Sequence, residues 1–293
     1  SIPPHPKGWG FLETIHMNFI KQLFKFGGES DFGKVRNTLV TLIGFAIIIM
    51  LWHFVAAYEL IPTKVLPDPF KVIGSVGSLI TDYHLFGNIW FTVSLNLMCY
   101  VYAILLSLPI GFFLALYPVN NILFGKSISS VRYLPLPALT GIFIAILGLT
   151  FSMKIWFLTV CIMIYIIPTV VNKINDLQNP SNVKDNVYLQ TIKTLGATNW
   201  QKFRYVYFPY VTSGIMNDIV SLSAISYSYV VICEMIYKDG NISGIGALIN
   251  TMIRQSYMAE AFALLFIIII IGTIQDIVFK AIGKKLFPFK YNS

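Results

Sequence analysis

Charged residues are scarce in this chain of 293 residues. Asp, Glu, Lys and Arg make up 12% of it and apolar residues 56%, whereas about a quarter of a typical soluble domain is charged. This composition excludes an ordinary soluble domain. Cysteine is also rare: Cys99, Cys161 and Cys233 all fall in apolar segments. We therefore expect buried thiols, and neither a disulfide framework nor a cysteine metal site.

Motifs for catalysis and cofactor binding are missing as well. The sequence has no G-x-x-x-x-G-K-[ST] phosphate-binding loop, no catalytic triad and no carboxylate pair. Its four histidines lack the spacing of metal ligands. We therefore predict that the chain is not an enzyme, and that it has no catalytic residue, no metal site and no cofactor of its own.

Long apolar runs dominate what is present. A helix needs about 20 apolar residues to cross ~30 Å of hydrocarbon. We predict an all-α membrane protein with six transmembrane helices, at Thr38–Tyr58, Ile89–Leu116, Tyr133–Met153, Ile155–Val171, Pro209–Cys233 and Ala261–Gln275. Prolines at 135 and 137 predict an irregular start to the third span, with the helix regular from about Ala138.

The formal net charge of +8 is distributed unevenly along the chain. If the N-terminus is cytoplasmic and the spans alternate, all but five of the 21 lysines and arginines lie on the cytoplasmic side. The five on the opposite side are Lys64, Lys71, Lys154, Lys238 and Arg254. This asymmetry follows the positive-inside rule. It favours a multi-pass bacterial inner-membrane protein with both termini in the cytoplasm, and it argues against nucleic-acid binding.

Two regions flank the first predicted span. Residues 1–36 carry apolar side chains every three or four positions between 11 and 24, which predicts an amphipathic helix along the inner leaflet, with a loosely ordered arm as the alternative. No signal peptide is expected, and because the chain begins with Ser, a start residue or short leader is expected to be missing. Residues 37–293 form the predicted membrane domain. After the first span, an extended proline-rich connection should lead into a short helix at Pro69–Asp82.

A polar, basic segment separates the fourth and fifth predicted spans. Two helix-prone runs, Asp185–Leu195 and Thr198–Tyr205, flank Gly196, which predicts two short helices joined by a turn at the glycine. Val187, Leu189, Ile192 and Leu195 are predicted to lean to one apolar face. Apolar anchors of this kind would fit a groove on a partner protein. An ordinary loop with an interfacial helix is the alternative.

The residues around Gly196 resemble a known family. Thr194–Ala197, followed ten residues after Gly196 by Val206–Pro209, resembles the coupling loop of ABC-importer permeases, with its pattern of EAA, G, a nine-residue gap and I-x-L-P. Gln190-Thr191-Ile192 stands in place of Glu-Ala-Ala, which removes an acidic partner for the ATPase. Further elements resemble the nitrate, sulfonate, taurine and bicarbonate branch: Leu66–Pro69, Leu134–Leu139, Cys233–Ile236, Gly244–Ile249, and Gly272 with Asp276.

The resemblance implies a function and a set of partners. It implies the permease subunit of an ATP-driven importer, carrying a small anion such as nitrate, a sulfonate, taurine or bicarbonate. The partners would be a second permease, expected to be an identical chain, two cytoplasmic ATPase subunits that bind ATP and Mg, and an external substrate-binding protein. The residues expected to couple to the ATPase are Gln190, Thr191, Ile192, Thr194, Leu195, Gly196, Ala197, Trp200 and Pro209.

Polar side chains within the spans form a second set of candidates, because ionisable groups are costly there. Glu234 is expected to act in structure or gating near the external mouth, with an interfacial glutamate as the alternative. Ser223 and Ser226 either line the path of a small polar solute or serve helix packing. For Asn96 an interhelical hydrogen bond is favoured over solute contact. Asp218 has either a local hydrogen bond or a transport role.

Two other functions remain open at this point. A secondary transporter driven by an ion gradient would need titratable residues at the midplane of several spans, and only Asp218 comes close to that. A membrane scaffold that transports nothing is the third possibility.

Overall fold

The computed structural model describes residues 34–236, 240 and 242–291, and every regular element within them is helical. In chain order the α-helices are Lys34–Ala57 (α1), Pro69–Gly74 (α2), Val76–Asp82 (α3), Leu85–Leu116 (α4), Pro118–Ser130 (α5), Leu136–Leu147 (α6), Phe151–Gln178 (α7), Val183–Thr194 (α8), Asn199–Lys202 (α9), Phe208–Ile236 (α10), Ile245–Arg254 (α11), Met258–Leu286 (α12) and Pro288–Tyr291 (α13). A 3-10 turn, Val131–Tyr133, follows α5, and a π-helical turn, Phe203–Tyr207, joins α9 to α10. The predicted all-α class is confirmed.

Five of the described helices are long and apolar enough to cross a membrane: α1, α4, α7, the run Asn199–Ile236 that ends in α10, and α12. They cover five of the six predicted spans. Each is longer than predicted, because polar turns such as Asn172–Gln178 continue the helix beyond its apolar stretch. Hydropathy registers only the part of a helix that is apolar, so it underestimates the helix length.

The third predicted span has different limits. Helix α6 has 12 residues and ends at Gly148, where the backbone φ is +68°. A helix of that length is about 18 Å long, too short to cross ~30 Å alone. Helix α6 and the preceding run Pro118–Tyr133 form a pair bent by 100°. This pair gives a sixth span only if its two parts are counted as one span. The limits Tyr133–Met153 are therefore wrong, whereas the irregular start is confirmed: Leu134 and Pro135 are extended.

The apolar core of residues 70–291 lies where α4, α7 and α10 pack against one another. Fully buried side chains from each helix meet there, among them Ala103 of α4, Phe157 of α7 and Val230 of α10. Cys99, Cys161 and Cys233 are buried in this core as free thiols, as the sequence predicted. The core thus holds together α4, α7 and α10, which carry most of the polar candidate residues.

The chain divides into two compact units, residues 1–69 and 70–293. In the first unit, the described part contains α1 and the proline-rich connection. Trp52 Nε1 donates a hydrogen bond to the Pro67 carbonyl at 3.0 Å, and His53 Nδ1 lies 2.6 Å from Asp68 Oδ2. These two contacts fix the connection to the end of α1. The predicted amphipathic helix, at residues 11–24, lies outside the described residues.

The short helix predicted at Pro69–Asp82 is present as two pieces, α2 and α3, separated at Ser75. The Ser75 hydroxyl donates to the Val72 carbonyl at 2.8 Å. It therefore competes with backbone N–H groups for this carbonyl at the point where the helix is interrupted. Pro69 occupies the first position of α2, as expected for a proline.

Candidate functional site

The segment between α7 and α10 folds as two short helices with a turn at Gly196, as predicted. Gly196 has φ +71°; its N–H donates to the Lys193 carbonyl at 3.0 Å, and the Ala197 N–H donates to the Ile192 carbonyl at 3.3 Å. These two bonds form a Schellman motif, in which the left-handed position favours glycine. We call residues 183–209 the coupling segment, after the permease loop that its sequence resembles.

A capping box starts the second helix of the coupling segment. The Gln201 N–H donates to Thr198 Oγ1 at 3.3 Å, and the Thr198 N–H donates to Gln201 Oε1 at 2.8 Å. The sequence carries the signal for this box, T-x-x-Q starting two residues after Gly196, but the prediction of the second helix did not use it. From here the chain stays helical through the π-helical turn into α10, with Pro209 as the second residue of α10.

Large apolar side chains are exposed at the tip of the coupling segment. Leu195 is 79% exposed and Trp200 67%, and Gln190, Thr191, Thr194 and Gly196 are exposed beside them. Ile192, Ala197 and Pro209 are half-buried. Leu189, in contrast, is buried while Val187 is exposed, so the single apolar face predicted for α8 is wrong. Side chains two positions apart on a helix point in directions about 200° apart, so Leu189 packs inward while Val187 faces outward.

Aromatic rings connect this exposed tip with the spans. The Trp200 and Phe203 rings are stacked with their centroids 5.6 Å apart, and Phe203 meets Phe112 of α4 edge-on at 5.0 Å. On the other side, Asn186 Nδ2 of α8 donates to the carbonyl of Leu177 in α7 at 3.0 Å. A displacement of the tip would therefore act on both α4 and α7.

A second polar cluster holds the start of helix α11. The first N–H groups of a helix have no partner within it. Here side chains of α4 and α10 accept from four consecutive N–H groups, two just before α11 and two in its first turn. Asn88 Oδ1 accepts from Ser243 and Gly244 at 3.0 Å each, Thr92 Oγ1 from Ile245 at 2.9 Å, and Glu234 from Gly246 at 2.8 Å. We call Asn88, Thr92 and Glu234 the α11 anchor.

Glu234 lies at the centre of this anchor and is fully buried. Thr92 Oγ1 lies 2.9 and 3.0 Å from the two Glu234 carboxylate oxygens, so that its hydroxyl donates to the carboxylate while accepting from Ile245. Lys154 of α7, also fully buried, interacts electrostatically with the same carboxylate. Glu234 is thus not an interfacial glutamate in contact with water, and the structural alternative named for it agrees with these contacts.

Known proteins resemble the chain along most of its length. No family model matches it. The "Putative aliphatic sulfonates transport permease protein SsuC" of Bacillus subtilis is 21% identical over 263 residues, which is 90% of either chain. A "Probable ABC transporter permease protein" of Brucella melitensis is 24% identical over 247 residues, or 84% of this chain and 95% of that one. The chain is thus similar to ABC-transporter permeases along most of its length.

A solved structure supports the same relationship at the level of the fold. A chain from inward-facing conformations of the MetNI methionine ABC transporter superposes with a TM-score of 0.52 at 16% identity, over 69% of this chain and 93% of that chain. The two chains therefore share a fold. The resemblance noted in the sequence is confirmed by the named relatives.

The remaining candidate residues lie between α4, α10 and α12. Asn96 Nδ2 donates to Gln275 Oε1 at 3.3 Å, the interhelical hydrogen bond favoured for it, and the Tyr227 hydroxyl donates to the same oxygen at 2.7 Å. Ser223 donates to Asp276, and both line a cavity of about 460 Å³ beside α10 and α12. Ser226 is buried, and its hydroxyl donates to the backbone carbonyl of Ser223 at 2.8 Å.

Three residues that matter for these contacts were not singled out from the sequence: Asn88, Thr92 and Gln275. Asn88 and Thr92 lie more than 140 positions from the groups they bind, so no local pattern could have linked them. Their spacing of four residues, which places both on one face of α4, was the only available signal. In the described residues, no three His, Cys, Asp or Glu side chains cluster as metal ligands.

Proposed function

We propose that this chain is the permease subunit of an ATP-driven importer, and that its coupling segment transmits movement from a separate ATPase. The observation that carries the proposal is the exposed apolar tip, Leu195 and Trp200, on a segment that is helical into α10. Exposed aromatic and aliphatic anchors of this kind mark protein interfaces. The similarity to transport permeases over 90% of the chain supports the same reading.

The mechanism follows from how the tip is connected. ATP and Mg, bound by the partner subunits, would supply the energy when the two ATPases close. The tip would then move with its ATPase, and the stacked rings of Trp200 and Phe203, together with the Asn186 bond to α7, would pass the displacement to α4 and α7. The helices would tilt as rigid bodies between an outward-facing and an inward-facing arrangement.

We further propose the assembly and solute implied by the resemblance. The assembly has two identical permeases, two ATPases and an external binding protein, with both permease termini in the cytoplasm. The solute is a small anion such as nitrate, a sulfonate, taurine or bicarbonate, and the name of the Bacillus relative favours a sulfonate among these. Ser223 lines the cavity beside α10 and α12 and is the candidate for contact with the solute, whereas Asn96 and Ser226 do not line it.

Variants of Gly196 test the coupling role. Nothing lies within 4 Å of a Cβ added there, so a larger side chain meets no atom of this chain, although φ +71° strains most residues. Gly196→Asn suits that backbone conformation, Gly196→Ala adds strain alone, and Gly196→Trp adds strain and bulk. With the ATPase and binding protein in proteoliposomes, we expect near-normal ATP-dependent uptake for Asn, a modest loss for Ala and near-complete loss for Trp.

Controls decide between the alternatives. All three variants should insert into membranes in equal amounts, since Gly196 lies outside the apolar spans. Normal ATP-dependent uptake by Gly196→Trp would contradict the coupling role. Uptake that follows an imposed ion gradient in the absence of any ATPase would instead support a secondary transporter.

A further inference from the structure

A groove of about 1110 Å³ opens beside the coupling segment, between α8, the π-helical turn, the first turns of α10, and α13. Much of its lining is apolar: Val187, Ile192, Leu195, Val206, Pro209 and Phe289. Trp200 does not belong to this lining. The groove thus shares Leu195 with the exposed tip, whereas Trp200 lies outside it.

Two lysines lie in the groove, Lys173 of α7 and Lys290 of α13. Lys290 Nζ donates to the Ser213 carbonyl at 2.8 Å, and the aliphatic part of Lys173 packs against Gly214 one residue further along α10. Burial and the nearby Lys173 charge both lower the pKa of Lys290, while Asp218 acts in the opposite direction. One carboxylate thus faces two ammonium groups, and a further anion would be attracted to this end of the groove.

The position of these lysines along the helices places them near the membrane surface. Helix α7 has 28 residues and is therefore about 42 Å long, so each end extends roughly 6 Å beyond a centred ~30 Å hydrocarbon core. Lys173 lies five residues, about 7.5 Å, before the end of α7, and Ser213 lies equally far from the start of α10. Both sites fall close to the boundary between hydrocarbon and headgroups.

We propose that this groove binds an anionic phospholipid from the leaflet on the side of the coupling segment, with the phosphate between Lys173 and Lys290 and an acyl chain along the apolar lining. Basic pockets between membrane helices recognise anionic headgroups on the cytoplasmic side. The orientation rests on the proposed function, which places the coupling segment in the cytoplasm. A bound lipid would touch α8, α10 and α13 together, and it would therefore stiffen the base of the coupling segment.

Lipid binding can be measured on the purified full chain in nanodiscs, with no ATPase or solute present. The test variant is Lys173→Gln/Lys290→Gln, and the matched control is Lys284→Gln/Lys285→Gln, which removes the same charge from exposed positions outside the groove. Phosphatidylglycerol is titrated against phosphatidylcholine, and retained lipid is counted by native mass spectrometry. We expect roughly tenfold weaker phosphatidylglycerol retention in the test variant and near-normal retention in the control.

Each outcome bears on the proposal. Equal retention by the test and control variants, when both melt normally in phosphatidylcholine, would overturn it. If glycerol phosphate protected the chain against thermal unfolding as effectively as phosphatidylglycerol, the site would be assigned to a soluble anion. If added ATPase displaced the lipid completely, the groove would be assigned to that partner. Either result overturns the lipid proposal. Because neither transport nor ATP hydrolysis is read out, loss of lipid selectivity is distinguishable from failure of the proposed function.

Discussion

Removal of the Glu234 carboxylate should destabilise the chain more than any other change in the α11 anchor. Glu234→Ala leaves the Gly246 N–H and the Thr92 hydroxyl without their acceptor. A buried group left unsatisfied costs about 1–3 kcal/mol. Because two such groups are affected, we expect a loss of about 2–6 kcal/mol in the free energy of unfolding.

Glu234→Gln separates the hydrogen bonds from the charge. The amide keeps the shape of the side chain and one acceptor oxygen, so Gly246 can still be satisfied, but the interaction with Lys154 is lost. We expect a loss intermediate between the native chain and Glu234→Ala. Glu260→Ala, which removes a half-buried carboxylate near the start of α12, serves as the matched control and should cost less than about 1 kcal/mol.

Thermal unfolding in nanodiscs measures these effects. For a domain of this size 1 kcal/mol corresponds to about 2–4 °C in Tm, so Glu234→Ala should lower Tm by roughly 10 °C and the control by a few degrees at most. A Tm for Glu234→Ala equal to that of the control would refute the anchor. If Glu234→Gln were as damaging as Glu234→Ala, the charge, and not the capping of α11, would be the main contribution.

Two further predictions concern single positions. Gly246→Ala would place a Cβ 2.5 Å from the Val231 carbonyl oxygen and should cost about 2 kcal/mol or more. As a control, Gly141→Ala meets nothing within 4 Å and should be neutral or slightly stabilising. Equal Tm values for the two variants would contradict the close packing of α11. Thr198→Ala should cost about 1 kcal/mol locally, seen as faster hydrogen exchange at the Gln201 amide, and unchanged exchange there would argue against the capping box.

Local features of the fold were predictable from the sequence. The turn at Gly196 depends on a single residue that favours a left-handed backbone, and its flanking helices depend on neighbouring residues only. The irregular start at Leu134–Pro135 likewise follows from prolines within the segment. Burial of the three cysteines followed from the apolar runs that contain them. In each case, the residues that decide the structure are adjacent in the chain.

Features that depend on distant contacts were missed or misjudged. The third span was placed at Tyr133–Met153 because hydropathy averages over the break at Gly148. The α11 anchor joins Asn88 and Thr92 to residues near 240, and a single sequence gives no sign of that pairing. Gln275 was taken only as the last residue of an apolar run, yet it is buried and bonded to Asn96.

The anchoring of α11 restricts how the protein can open at the end of α10 that carries Glu234. Because acceptors from α4 and α10 both hold the start of α11, the ends of the three helices that meet there cannot separate without exposing buried N–H groups to lipid or to a dry interior. They should therefore travel as one block during any change of conformation. The sliding surface would then be the contact that this block makes with α7, which is built largely from apolar side chains. The contact with α12 is less free to shift, because Asn96, Ser223 and Tyr227 donate hydrogen bonds across it.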